Sequence, residues 1–165
     1  MNTAQASQPE ITPRLSVVVP AYNEESRLPA TLERMLQYLD AQDEPAEIII
    51  VDDGSVDRTV ELVQPIADAH PNVYIIRNDH RGKGYAVRTG VLAAQGDFIL
   101  FSDADMATPI KEWEKLRGPL EDRYDVAIGS REGLGAQRLG EPWYRHLMGC
   151  VFNYLVRFGA VEREF

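Results

Sequence analysis

The apolar positions of this chain follow two periodicities that alternate along the sequence. Short runs of apolar, often β-branched residues predict buried strands, at residues 15–20, 47–51, 73–76, 97–101 and 125–128. The segments between them place apolar residues three or four positions apart, which predicts helices, at about residues 28–39, 56–69, 84–94, 109–116 and 141–158. The alternation of strands and helices predicts an α/β fold with a mostly parallel sheet.

Two helix starts carry capping signals. Ser26 is expected to cap the first helix, with Pro29 in its first turn. Gly54 and Ser55 are expected to form a tight turn that caps the second helix.

Polar sequence follows four of the predicted strands. The segments are Tyr22-Asn23-Glu24, Asp52-Asp53, Asp103-Ala104-Asp105 and Gly129-Ser130-Arg131. In open α/β sheets, ligands bind beyond the carboxyl ends of the strands. We therefore expect these side chains to converge on one binding site.

Asp103 and Asp105 are separated by one residue, Ala104, after the fourth predicted strand. In extended backbone, residues two apart point to the same side, so both carboxylates can face one point. Two like charges at short distance repel, and a cation between them relieves the repulsion. Such oxygen ligands suit Mg²⁺ or Mn²⁺, which bind through one or two carboxylates and substrate phosphate oxygens. The pair predicts a divalent metal site, and the alternative is a solvated acidic loop.

Asp52 and Asp53 follow the second predicted strand in the same way. We expect one of them to cap the next helix and the other to accept hydrogen bonds from a base N–H or a ribose hydroxyl. In the loop Pro20-Ala21-Tyr22-Asn23-Glu24, Tyr22 offers a ring that stacks on a flat base, and Glu24 accepts from sugar hydroxyls. This loop composition is common, so the signal is weak by itself.

The most basic stretch of the chain surrounds the third predicted helix. Its cations are Arg77, His80, Arg81, Lys83 and Arg88. Gly82 and Gly84 let the backbone approach a ligand, and a helix N-terminus favours anions. The spacing matches neither the dinucleotide fingerprint nor the phosphate-binding loop, so surface charge is the simpler interpretation of this stretch alone.

Arg131, after the fifth predicted strand, can neutralise a leaving diphosphate or an acceptor phosphate.

Composition limits the partners. The chain of 165 residues has 17 Lys and Arg against 26 Asp and Glu, a net charge of −9, which argues against nucleic-acid binding. The single cysteine allows no intrachain disulfide, and no apolar run approaches ~20 residues, so we expect a cytoplasmic location. Residues 1–14 are polar and predict a flexible leader before one domain at residues 15–165.

The segment from 141 to 158 is strongly apolar, and its periodicity is more typical of a core face than of a lipid-facing one. Cations exceed acids between residues 131 and 157. That excess suits an anionic acceptor or the cytoplasmic face of a membrane, and equally a solvated helix face.

Six segments in order resemble the family-2 glycosyltransferases of the GT-A fold: VVVPAYNEESRLP, IIIVDDGSVDRT, RGKGYAVRTG, FSDADMATP, AIGSRE and EPWYRHLMG. The resemblance spans about residues 15–158 and is greatest to the dolichyl-phosphate β-glucosyltransferases and other polyprenyl-phosphate glycosyltransferases. It implies a Rossmann-like GT-A fold and inverting transfer of glucose from UDP-glucose to a polyprenyl or dolichyl phosphate, with Mg²⁺ or Mn²⁺. Mannose synthases of this type carry glutamine at the position of Ala107, which argues against mannose.

The resemblance also implies roles for individual residues. Asp103 and Asp105 match the metal-binding D-x-D motif, and Asp105 and Arg131 are expected to act in catalysis. The nucleotide sugar is expected to contact Pro20, Ala21, Tyr22, Glu24, Asp52, Asp53, Arg81, Lys83, Asp103 and Ala104. Family members continue with a D-T-Q-C-G-F-K-like segment that helps to form the acceptor side. We therefore expect an incomplete acceptor side here, and pairing with a second copy.

Several alternatives remain open. A sugar-1-phosphate nucleotidyltransferase would carry a Gly-rich basic signature after the first strand, where this chain has AYNEE. A response-regulator receiver would carry its acidic pair after the first strand. A non-catalytic fragment that binds nucleotide sugar, or a family member that acts on a saccharide hydroxyl, would share every motif above.

Overall fold

The computed structural model describes residues 12–129, in which four strands alternate with helices. The strands are β1 (Leu15–Ala21), β2 (Ala46–Asp52), β3 (Val73–Arg77) and β4 (Phe98–Phe101). The helices are α1 (Leu28–Asp40), α2 (Thr59–Ala69), α3 (Lys83–Ala93) and α4 (Trp113–Asp122), the last preceded by a 3₁₀ turn at Ile110–Glu112. The predicted α/β fold, a parallel sheet flanked by helices, is confirmed.

The four strands form one parallel sheet in the order β3-β2-β1-β4. Val18 of β1 lies opposite Ile49 of β2 on one side and Phe101 of β4 on the other. In chain order, β2 and β3 are added on one side of β1, and β4 then pairs with the opposite side of β1. The strand order therefore reverses at β1, and the crevice at such a reversal is where α/β sheets bind ligands.

The core explains why the strands were predictable. Every residue of β1 is buried, as are all but the first residue of β2, and strands covered on both faces have continuous apolar sequence. Ile49 and Val51 pack against Ala86 of α3. A Cβ added to Gly90 would lie 3.0 Å from a Val51 methyl carbon, so glycine lets α3 approach the sheet. Helix α1 buries one apolar face: Leu28, Leu32, Met35, Leu36 and Leu39.

The capping predictions for α1 and α2 are wrong, including the one made for Asp52 or Asp53, although Pro29 does lie in the first turn of α1. The N-cap of α1 is Arg27, without a side-chain cap, so Ser26 does not have that role. Helix α2 begins only at Thr59, because the Asp57 carboxylate accepts the Thr59 N–H at 2.9 Å and ends an irregular loop there. Gly54 and Ser55 belong to that loop and cap nothing.

The fifth predicted strand is also wrong. Residues 125–129 have no strand pairing, and Val126 and Ile128 are 72% and 83% exposed. Apolar β-branched sequence makes a strand only where a neighbouring strand supplies hydrogen bonds and cover. The predicted helix at 141–158 lies outside the described residues.

The chain divides after Gly118 into two compact units. The first contains the whole sheet. The described part of the second comprises the last turn of α4 and the residues up to Gly129, where the Arg123 guanidinium lies 5.5 Å from the centre of the Tyr124 ring. None of the helices within residues 12–129 has the length and apolar character that a membrane span requires.

Candidate functional site

A cleft of about 350 Å³ opens at the carboxyl ends of β1, β2 and β4, at the point where the strand order reverses. Its volume falls within the range of small-molecule sites. The lining residues come from three strand ends and the start of α3: Pro20, Ala21, Tyr22, Glu24, Arg27, Asp53, His80, Lys83, Ala86, Asp103, Ala104 and Asp105.

The loops after β1 and β2 are joined by reciprocal hydrogen bonds. Asn23 has a φ of +54°, a left-handed conformation that asparagine tolerates. Its backbone N–H donates to the Ser55 hydroxyl at 2.9 Å, and its side-chain oxygen accepts the Val56 N–H at 3.0 Å. The Glu24 N–H donates to the Thr59 hydroxyl at 2.7 Å. These bonds fix one wall of the cleft.

Asp53 is a buried carboxylate, 2% exposed, that binds the loop between β3 and α3. Its Oδ1 accepts the Arg81 N–H at 3.0 Å, and its Oδ2 accepts the Gly82 N–H at 2.7 Å. Gly54, with a φ of +75°, permits this close approach of the two loops, since a Cβ there would lie 2.9 Å from the backbone nitrogen of His80. Asp53 therefore holds the loop that leads into α3, which begins at Lys83.

Two aromatic rings, one from the loop after β1 and one from the loop after β3, form another part of the cleft wall. Tyr22 and His80 stack with ring centroids 4.2 Å apart and an interplanar angle of 27°. His80 Nδ1 lies 2.9 Å from Asp53 Oδ2 and 3.0 Å from the Asp53 carbonyl oxygen. The Asp53 carboxylate thus orients His80, and His80 supports Tyr22.

At the end of β4, Asp103 and Asp105 are exposed and both line the cleft, with Ala104 buried between them. Lys83 Nζ lies 2.7 Å from Asp103 Oδ1 and 5.4 Å from the centre of the Phe101 ring. Asp105 Oδ1 accepts the Ala107 N–H at 3.0 Å, and Met106 has a φ of +50°. Non-glycine residues held in this conformation concentrate at functional sites.

The structure brings together most of the residues predicted from the sequence and leaves a few apart. Asp52 does not line the cleft, because its carboxylate accepts the Ser55 N–H at 3.3 Å. Arg81 does not line it either, and its guanidinium lies 4.8 Å from the Tyr85 ring centre. Arg131 lies outside the described residues. The remaining predicted residues all line the cleft: Pro20, Ala21, Tyr22, Glu24, Asp53, Lys83, Asp103, Ala104 and Asp105.

Three lining residues were not predicted as site residues. Ala86 faces the cleft from α3. Arg27 Nε donates to Glu24 Oε2 at 2.8 Å, so the acceptor capacity expected of Glu24 is partly used within the protein. His80 belongs to the basic stretch noted in the sequence, and its proximity in sequence to Lys83 was the available signal.

The carboxylates of Asp103 and Asp105 suit a ligand that binds together with a metal cation. Among residues 12–129, no three His, Cys, Asp or Glu side chains form a group able to hold a metal ion. Asp103 and Asp105 alone offer a hard two-carboxylate donor set, which suits an ion that completes its coordination with water and phosphate oxygens. In the structure, Asp103 has the Lys83 ammonium as its ion-pair partner at 2.7 Å.

Comparisons with known proteins agree with this geometry. The family model described as "Glycosyl transferase family 2" matches residues 16–160. The human dolichyl-phosphate beta-glucosyltransferase is 36% identical over 92% of this chain and 51% of its own length. The undecaprenyl-phosphate 4-deoxy-4-formamido-L-arabinose transferase of Proteus mirabilis is 32% identical over 87% of this chain and 43% of its own length. The chain thus spans about half the length of these relatives.

Solved structures give the same result. A mannosyltransferase of Pyrobaculum calidifontis, in complex with GDP-Man and Mn²⁺, matches with a TM-score of 0.52 and 31% identity, over 64% of this chain and 31% of that one. Glucosyl-3-phosphoglycerate synthase of Mycobacterium tuberculosis, in complex with Mn²⁺, UDP and glucosyl-3-phosphoglycerate, matches with a TM-score of 0.51 and 29% identity, over 66% of this chain and 39% of that one. The fold, the cleft at the strand reversal and the family model agree. The chain is a member of glycosyl transferase family 2.

Proposed function

We propose that the cleft binds a nucleoside diphosphate sugar, UDP-glucose in the first instance, and that the sugar passes with inversion to a polyprenyl or dolichyl phosphate. One observation carries the proposal: the exposed carboxylates of Asp103 and Asp105 share a cleft with the aromatic face of Tyr22 and with Lys83. The cleft therefore combines a surface for a flat base with groups for a diphosphate.

The nucleoside end of the donor lies against the loops after β1 and β2. Tyr22 is 42% exposed and gives a base a stacking surface. Glu24 uses Oε2 for the bond to Arg27, and its other oxygen, Oε1, accepts a hydrogen bond from a ribose hydroxyl. Because the loop hydrogen bonds set these positions before the ligand arrives, little entropy is lost on binding.

The diphosphate lies near Lys83 and the end of β4. Asp103 and Asp105 would hold Mg²⁺ or Mn²⁺, which when bound supplies charge stabilisation for the diphosphate. The two matching structures that contain Mn²⁺ support this assignment. Lys83, now paired with Asp103, is close enough to exchange that partner for a phosphate oxygen.

The reaction needs few groups from the protein. The bond between the anomeric carbon and the diphosphate oxygen breaks, a bond to an acceptor phosphate oxygen forms on the opposite face, and UDP leaves. A lipid phosphate is already ionised near neutral pH, so it requires little general-base help. Arg131, outside the described residues, is proposed to position that phosphate.

The choice of acceptor rests on the relatives, whose names specify dolichyl-phosphate and undecaprenyl-phosphate. With an acceptor of this kind, the chain is proposed to act at the cytoplasmic face of a membrane, in peripheral contact. A second copy is proposed to cover the apolar side chains of β4, where Ile99 and Phe101 are 42% and 44% exposed. Sedimentation of the purified chain tests the dimer.

A transfer assay tests the function. The chain is incubated with UDP-[¹⁴C]glucose, a polyprenyl phosphate in detergent and Mn²⁺, and label is measured in the organic phase. We expect label in that phase, less with GDP-[¹⁴C]mannose, and none in EDTA. Binding of UDP-glucose without any transfer would contradict the catalytic part and leave a donor-binding protein.

Asp79→Asn is the matched control for variants of the cleft. Asp79 is exposed in the loop between β3 and α3, four residues before Lys83, and does not line the cleft. This variant should transfer label as the unaltered chain does. An equal loss in Asp79→Asn and in Asp103→Asn would show that a general charge effect, and not the cleft, limits the assay.

A further inference from the structure

A second cavity lies toward the amino ends of β2 and β3, at the other end of these strands from the cleft. Its volume is about 1200 Å³, and its lining comes from the end of α1, the first residues of β2, strand β3 and the end of α3. This volume exceeds the range of about 300–1,000 Å³ that is usual for small-molecule sites. A peptide segment is therefore a better match in size than a small metabolite.

The charged side chains that line this second cavity are all acidic. They are Asp40, Asp43, Glu44 and Glu47, and the lining residues that the structure describes include no Lys, Arg or His. Glu44 already has a cation, because two nitrogens of the Arg117 guanidinium lie 2.8 Å from its two carboxylate oxygens. The remaining carboxylates favour a ligand that carries positive charge.

Glu47 is the acidic residue that points most directly to a cationic partner. It is only 5% exposed and lines the second cavity. Its Oε1 accepts hydrogen bonds from the Ser16 hydroxyl and, at 2.8 Å, from the Gln95 N–H. Within residues 12–129, no hydrogen bond or ion pair involves its Oε2. Buried carboxylates are normally paired, so an ammonium or guanidinium group that enters the cavity would complete this site.

The edge of the sheet runs along the same cavity. Within residues 12–129, β3 pairs with β2 on one side and with no strand on the other. The Asn72 carbonyl oxygen accepts the Ile48 N–H of β2 at 2.9 Å. Because main-chain groups alternate in direction along a strand, the N–H and C=O of Ile75 point away from β2. Tyr74, 49% exposed, adds an aromatic surface next to this edge. An extended peptide can pair with such an edge.

We propose that the second cavity docks an extended segment of a partner protein, which pairs with β3 and places a lysine or arginine against Glu47. The β3 main chain supplies hydrogen bonds, Tyr74 supplies an apolar contact, and Glu47 selects the cation. The cleft lies at the other end of the strands, so docking of the partner and binding in the cleft are independent. The inference therefore does not rest on the proposed function.

Titration calorimetry of the full chain with two synthetic peptides tests the charge contact. The first peptide is acetyl-Arg-Thr-Val-Thr-Val-Thr-Arg-amide, in which an arginine at each end serves either direction of pairing. The second has citrulline at both ends, which keeps the shape of arginine and removes its charge. We expect the unaltered chain to bind the arginine peptide about tenfold tighter.

Glu47→Gln should bind the two peptides within about twofold of each other. Its amide oxygen can still accept from Ser16 and Gln95, so the fold should be kept. The matched control is Glu33→Gln, since Glu33 is exposed on α1 and does not line the cavity. This control should keep the tenfold preference. Should Glu47→Gln fail to fold, Tyr74→Arg serves in its place, because a cation within the cavity should also abolish the preference.

Two further arms test the mode and the place of binding. An arginine peptide with N-methyl groups on its three central residues cannot pair along both edges, and should bind the unaltered chain at least about tenfold more weakly. Saturating UDP with Mn²⁺ should leave the affinity for the arginine peptide unchanged.

Four results would overturn the inference. These are no binding of the arginine peptide, equal binding of the arginine and citrulline peptides, a preference that survives in Glu47→Gln or its substitute, and displacement of the peptide by UDP, which would locate it in the cleft. Full binding of the N-methylated peptide would exclude strand pairing and overturn the proposed mode of docking. None of these results depends on whether the chain transfers a sugar.

Discussion

The two acidic pairs of this chain look alike in sequence and behave differently in the structure. Asp52 is the last residue of β2 and Asp53 follows it; both are buried, and their carboxylates accept backbone N–H groups of the protein. Asp103 and Asp105 follow β4 and are exposed; the side chain of Asp103 is 49% exposed and has Lys83 as its partner. The first pair organises loops and the second remains available to a ligand.

This difference shows that the residues around a carboxylate decide its role. A buried carboxylate surrounded by backbone donors is satisfied within the protein, so removing it costs stability. An exposed carboxylate paired with one exposed lysine contributes little to stability. Variants of the two pairs should therefore separate folding from ligand binding.

The largest effect is expected at Asp53. In Asp53→Asn, the amide group places donors against the donors of Arg81, Gly82 and His80, so at least one buried group loses its partner. The free energy of unfolding should fall by about 3 kcal/mol, measured by urea denaturation. UDP binding should weaken whether or not Mn²⁺ is present. A variant as stable as the unaltered chain would remove the distinction between the two pairs.

Asp105→Asn should leave stability nearly unchanged and remove the metal dependence of donor binding. The exposed side chain accepts only the Ala107 N–H among the bonds formed within residues 12–129, and asparagine can accept it as well. Stability should stay within about 0.5 kcal/mol, as at other exposed positions. The gain in UDP-glucose affinity on adding Mn²⁺ should disappear, a loss of at least about tenfold, or 1.4 kcal/mol. Unchanged Mn²⁺ dependence in this variant would exclude a metal at the pair.

Lys83→Met removes the cation that is paired with Asp103. The Lys83 ammonium, 2.7 Å from Asp103 Oδ1, would compete with a metal ion for that carboxylate. Its removal should raise the affinity for Mn²⁺ alone, up to about fivefold for an ion pair of about 1 kcal/mol. The affinity for UDP should fall, because a cation near the diphosphate is lost. Electron paramagnetic resonance of free Mn²⁺ measures the first effect, and a fall in Mn²⁺ affinity would show that Lys83 does not compete.

The smallest effect concerns Asp57, in the loop between β2 and α2. Partial burial acts to raise the pKa of Asp57, but hydrogen bonds from Thr59 and from the Glu25 backbone outweigh it and lower the pKa below its ordinary value. A lowered pKa means that Asp57 stabilises the fold above the unfolded carboxyl pKa of about 3.9, and that this stability is lost as the pH falls through the folded pKa.

Asp57→Asn should therefore be slightly less stable than the unaltered chain near neutral pH. Their unfolding midpoints should converge as the pH falls from about 5 to about 2. A difference that stays constant over this range would mean that the charge of Asp57 has no part in the effect.

The sequence allowed much of the fold to be predicted, because buried parallel strands have continuous apolar sequence. All four strands lie within one residue of their predicted bounds at each end. The strand expected at residues 125–128 shows the limit, since β propensity does not reveal whether a neighbouring strand is present. The start of α2 was missed because the Asp57 bond to Thr59 was outside the expected capping pattern.

The site was predictable where residues share a strand end. The shared cleft of Asp103, Asp105 and Tyr22 follows from their positions after parallel strands. The role of Asp53 in holding a loop was not predictable, because its donors lie 28 and 29 residues further along the chain. Residue type and local spacing carry no information about such a distant contact.

Calorimetry of the unaltered chain tests whether Asp103 and Asp105 bind the donor through a metal ion. UDP-glucose is titrated once with Mn²⁺ and once with EDTA. If Asp103 and Asp105 bind the diphosphate through a metal ion, the affinity should be at least about tenfold higher with Mn²⁺. Equal affinity under the two conditions, or no binding in either, would contradict the account.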